Sequence, residues 1–97
     1  MTTYVSLVNW TEQGMRNFQE TINRAEEFTK LVENSGGSVR EVLWTLGDYD
    51  SLAIVDFPDD ETAVAALLQV GGKGQIRTHT MRAFGADEMS GIVRKAT

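Results

Sequence analysis

Cysteine is absent from the chain, proline and histidine occur once each, and cations are outnumbered nine to fourteen by carboxylates, giving a net charge of −5. Without thiols there is no disulfide framework, thiolate zinc site, iron–sulfur cluster or cysteine nucleophile. The cationic deficit and the lack of any basic stretch exclude nucleic acid as the main partner, since backbone binding rests on clustered cations that release phosphate counterions. Long apolar runs are missing too. Runs such as Val64 to Leu68 and Leu52 to Val55 fall far short of the ~20 residues that cross a bilayer. Met1-Thr2-Thr3-Tyr4 lacks the cationic start and apolar segment of a secretory signal, so the expected compartment is the cytoplasm, with no membrane partner.

What remains is the composition of one small globular domain over residues 1–97, of which 41% are hydrophobic. A domain of this size buries only about two-thirds of its unfolded surface. A sheet with two apolar faces would therefore need a second chain to cover one of them.

Residues 2–10 are rich in β-branched and aromatic types and read as a first strand. Thr11 then suits a helix N-cap, with Glu12 at the positive end of the dipole. Met15, Phe18, Ile22, Ala25, Phe28 or Thr29, and Val32 recur at helical spacing and predict one apolar face. Arg16, Glu20, Arg24, Glu27, Lys30 and Glu33 read as the solvated face, and Ser35-Gly36-Gly37 as the stop. Val39 to Leu46 predicts a second strand, Gly47 to Asp50 a turn, and Ser51 to Phe57 a third strand paired antiparallel with the second. Pro58-Asp59-Asp60-Glu61 opens a second helix that ends at Gly71-Gly72-Lys73-Gly74, a run placed after a helix rather than before one, unlike a phosphate loop. Gln75 to Phe84 predicts a fourth strand, and Ala86 to Ala96 a short terminal helix.

The order βαββαβ, with right-handed crossovers, gives a ferredoxin-like α+β fold: a four-stranded antiparallel sheet in order 4-1-3-2 with both helices on one face. Its central strands carry apolar residues on both sides, with Tyr4 and Val8 against Val5 and Leu7, and Leu52 and Ile54 against Ala53, Val55 and Phe57. A one-sided sheet would alternate strictly. The second face is therefore expected to meet another copy or to enclose a ligand.

At Gly47-Asp48-Tyr49-Asp50 the sequence resembles the GYD domain family, small bacterial proteins named for this motif, whose motif residues here are Gly47, Tyr49 and Asp50. The resemblance extends through Ala53-Ile54-Val55 and Pro58-Asp59-Asp60-Glu61 to Ile76-Arg77-Thr78-His79-Thr80-Met81-Arg82-Ala83-Phe84, and back to Tyr4-Val5-Ser6-Leu7-Val8-Asn9-Trp10-Thr11 and Gly14. His79 departs from the pattern, which has a small residue there. The resemblance implies a dimeric α+β barrel, two sheets packed face to face. The wider barrel group spans cofactor-independent monooxygenases, isomerases, haem-handling enzymes and plain ligand binders, and fold alone selects none of them.

Several residues are candidates for chemistry. A phenol between carboxylates, Tyr49 between Asp48 and Asp50, can act as a proton donor, although turn chemistry explains the same residues: positive φ at Gly47, Asp side chains on backbone amides, and Tyr packed across a strand. His79, the single histidine, suits a general base or an axial haem ligand, or a surface position. Asp56, late in a central strand, needs a partner if buried; Arg77 or Arg82 on the last strand are candidates, the pair serving as a structural or intersubunit ion pair or as a ligand-binding polar pair. Trp10 and Trp44 suit an apolar ligand cavity or an interface core. No spacing points to a metal site and no cofactor is called for. The expected function is a homodimeric interaction or small-molecule-binding module. The alternative is a cofactor-independent enzyme of the monooxygenase or isomerase kind using Tyr49, Asp56, His79 or Arg82, and a haem-binding variant ranks third.

Overall fold

The computed structural model describes residues 1–97. Strands β1 (Thr2–Trp10), β2 (Ser38–Trp44), β3 (Ser51–Phe57) and β4 (Ile76–Ala83) form one antiparallel sheet in the order β2-β3-β1-β4. This is the expected arrangement. Helices α2 (Thr21–Asn34) and α3 (Asp60–Gly72) cover one face, and α4 (Ala86–Ala96) follows β4. The core lies between that face and the two long helices, where Tyr4, Ala53, Val55 and Phe57 of the sheet meet Val32, Ala63 and Ala66. Tyr4 and Phe57 pack edge to face, ring centroids 5.8 Å apart.

The first predicted helix is in fact broken. Thr11 caps α1 (Glu12–Arg16) by accepting from the Gly14 amide at 3.1 Å, but the helix stops at Asn17 (φ −106°, ψ 34°), whose amide side chain competes for the Gln13 carbonyl. A 3-10 turn at Phe18–Glu20 re-aims the chain into α2. The apolar spacing around the break does not lead into the core: Met15, Phe18 and Ile22 are all more than half exposed. Gly14 sits where α1 lies on the start of β4, and a Cβ there would fall 2.0 Å from the Gln75 carbonyl oxygen.

β2 also ends earlier than expected, at Trp44, because the connection closes on itself. The Thr45 amide donates to the Asp50 carbonyl at 3.0 Å, and the Thr45 hydroxyl to the Tyr49 carbonyl at 2.5 Å. Gly47 supplies a φ of +125°. At the other end of β3, Asp59 caps α3 by accepting from the Thr62 amide at 2.8 Å. α4 has an amphipathic pattern, yet its Met89, Ile92 and Val93 are exposed and it makes only marginal contact with the rest of the chain. No helix is long and apolar enough to cross a membrane.

Candidate functional site

Small side chains at the centre of the sheet, Ser6 and Ala53, lie beneath Ala25 of α2, and three small groups do not fill the space between the layers. The result is a cleft of about 580 Å³ including the open solvent at its mouth. Its walls are mostly apolar: Val8, Phe28, Val42 and Leu67, with Trp10 and Trp44. Trp44 Nε1 donates to the Thr21 hydroxyl at 2.9 Å, tying the end of β2 to the first turn of α2. The Ser6 and Thr80 hydroxyls bond to one another at 2.7 Å.

One charged side chain lines this cleft, Arg24, which the helical spacing had put on the solvated face. Within α2 that position turns toward the sheet, beside Phe28. Arg24 Nη2 donates to the Gly14 carbonyl at 3.3 Å, while Nη1 is buried without an acceptor. A buried unpaired donor costs about 1–3 kcal/mol, more when charged. The spacing held a usable signal, since Arg24 precedes Phe28 by four residues and so shares its helix face.

The structure places Trp10 and Trp44 on the cleft and the other site candidates elsewhere. Tyr49 and His79 meet each other, ring centroids 5.8 Å apart and nearly perpendicular. Asp50, in the same turn, accepts from the Trp10 amide at 2.8 Å and donates its own amide to the Val8 carbonyl at 2.8 Å, holding the connection to β1. Arg82 pairs with Glu88 at 3.1 Å and lies 4.4 Å from the centre of the Phe84 ring. Tyr49, Asp56, His79 and Arg82 thus do not converge on one cavity. No group of three His, Asp or Glu side chains gathers to hold a metal.

Asp56 is nearly buried, and its partner is not on β4 as expected. It accepts from Thr3 Oγ1 and from Arg40 Nε, each at 2.6 Å. The reason is a register shift between Val39 and Glu41, which inserts Arg40 as an extra residue in β2 beside Asp56. Arg77 belongs to the same sheet face but to the far edge strand. Burial pushes the Asp56 carboxyl up, yet the two hydrogen bonds and the guanidinium charge outweigh it and hold the group below its usual range. On the helix side, burial first and then donation to the Asp60 carboxylate push the Tyr4 phenol up to about 12.

The face that carries Asp56 is the second candidate surface. Pairing registers set Val5, Leu7, Leu43, Leu52, Ile54 and Met81 side by side on it, away from α2 and α3. None of the six is buried, and Leu43 and Met81 are each 49% exposed. Contiguous apolar surface of this kind is a common feature of binding surfaces.

A ferredoxin-like sheet with one face under helices and the other apolar and open defines a small α+β domain. A family model of the GYD domain matches residues 4–93, and the chain belongs to that family. The chain is 29% identical over 86 residues to a Thermus thermophilus protein named glutamine synthetase and cystathionine beta-lyase binding protein, covering 87% of this chain and 90% of that one. It is also similar to a crystal structure of a protein from Thermus thermophilus, 25% identical, with a TM-score of 0.57 over 89% of this chain and 96% of that one. A protein provisionally named a chlorite dismutase shares the fold at 14% identity and TM-score 0.57, over 95% of this chain and 48% of that one.

Proposed function

We propose that the protein is a self-associating interaction module. Two copies pack open face to open face, closing a two-chain α+β barrel, and the assembled particle binds a metabolic enzyme such as glutamine synthetase or cystathionine beta-lyase. The observation that carries self-association is the unbroken apolar strip Val5, Leu7, Leu43, Leu52, Ile54 and Met81 across all four strands. Such a strip is the core of an interface, and Asp56 with Arg40, His79 and Arg77 form a polar surround. The enzyme partner is supported by the name of the Thermus relative.

Light scattering coupled to size exclusion tests the first part. The expected mass is twice that of the chain at micromolar concentration, and Leu52→Glu, which enters a two-fold interface twice, shifts it to one chain. A wild-type monomer under those conditions overturns self-association. Titration against purified glutamine synthetase and cystathionine beta-lyase tests the second part, and no binding to either at tens of micromolar overturns it.

A further inference from the structure

The cleft under α2 lies on the opposite side of the sheet from the open face and plays no part in the proposed self-association. Three properties define what it would hold. Its lining is apolar apart from hydroxyls and one guanidinium, and no carboxylate lines it. Of its four hydroxyls, Ser6 is engaged by Thr80 and Thr21 by Trp44, and those of Ser51 and Thr78 carry no charge. Arg24 is the one charged group in the lining, and its Nη1 is the one buried side-chain polar atom left with no partner. An acceptor that arrives with its own negative charge makes the shortest and strongest bond to such a donor.

We propose that this cleft binds a small monocarboxylate with an aromatic or branched aliphatic body, the carboxylate at Arg24 and the apolar end among Trp10, Trp44 and Phe28. One guanidinium matches one negative charge, whereas a phosphate or a dicarboxylate would bring a second charge into apolar walls with nothing to balance it. The size agrees. The enclosed part of the cleft has room for only a few waters, which limits the ligand to a small molecule. Exclusion of acids from the lining also keeps the cleft from repelling such a ligand in a chain whose net charge is −5.

Phenylacetate and its neutral isostere phenylacetamide form a matched pair of probes. Both tryptophans of the chain line the cleft, so intrinsic fluorescence reports occupancy of this site directly. Calorimetry supplies the affinity. The expected result is that phenylacetate binds about tenfold or more tighter than phenylacetamide, and that Arg24→Met, checked for its fold by circular dichroism, abolishes the difference while leaving the amide bound. Ala25→Leu, which fills the cleft without touching the guanidinium, blocks both probes. Equal affinities in the wild type overturn the proposal, as does a preference retained in Arg24→Met. Absence of binding by either probe at millimolar concentration, or undiminished phenylacetate binding to Ala25→Leu, overturns it as well. If Arg24→Met does not fold, the wild-type preference and the Ala25→Leu block decide the matter between them.

Discussion

Replacing Gly14 with alanine separates two physical effects of opposite sign. Helix propensity alone favours the change, since alanine in a helix interior is about 1 kcal/mol better than glycine. The tertiary setting opposes it. The new Cβ would stand 2.0 Å from the Gln75 carbonyl oxygen, where ordinary contact begins near 3.4 Å, so α1 and the start of β4 must part by roughly 1.4 Å. Two hydrogen bonds span that seam, from the Thr11 amide to the Gln75 carbonyl at 3.0 Å and from the Thr11 hydroxyl to the Gly74 carbonyl at 2.7 Å. Losing both costs about 1–3 kcal/mol, and the residual overpacking a further 1–3 kcal/mol. After the propensity gain, Gly14→Ala is expected to destabilise the fold by about 3 kcal/mol, within a range of about 1–5 kcal/mol. Urea unfolding followed by circular dichroism would show a midpoint lower by about 1–3 M, given slopes of about 1–3 kcal/mol per molar. A midpoint unchanged or raised would refute the reasoning, because only propensity would then be at work.

Asp56 bears on acid stability. Its folded-state carboxyl titrates below the unfolded value of about 3.9, so its contribution is present above that pH and lost as pH falls through the folded value. Asp56→Asn is accordingly expected to lose less stability than the wild type between neutral pH and about pH 3 when urea midpoints are compared, and equal losses would count against the pairing with Thr3 and Arg40. In α4, a Cβ at Gly91 meets nothing closer than the Arg94 side chain at 3.9 Å. There propensity is unopposed, so Gly91→Ala should slow amide exchange across residues 86–96 by a few-fold, corresponding to about 1 kcal/mol of added helix stability. Unchanged exchange would mean that packing governs this helix.

Strand positions and sheet order were legible because β-branched runs, turn residues and crossover handedness act locally or through topology. What escaped the sequence depended on where separate segments meet. The apolar series Met15, Phe18 and Ile22 has helical spacing whether or not the helix is continuous, and only the docking of Gly14 on Gln75 and the backbone angle at Asn17 decide that it breaks. Arg24, one turn before Phe28 in α2, lines the cleft rather than the solvated face. Arg40 was invisible as the partner of Asp56, because alternation along β2 has no mark of the inserted residue. The cleft itself is made by Ser6, Ala25 and Ala53, far apart in the chain and individually ordinary.

Strict alternation along the central strands has a practical consequence for genetics. In β1 the even-numbered residues, such as Ser6 and Val8, face the cleft, and the odd-numbered ones, such as Val5 and Leu7, face outward. In β3 the parity is reversed, with Ala53 and Val55 inward and Leu52 and Ile54 outward. In β2 it switches partway along at Arg40. A saturation screen of these strands, scored separately for assembly and for small-molecule binding, would therefore sort into two interleaved classes by residue number, each a readout of one side of a layer one backbone thick.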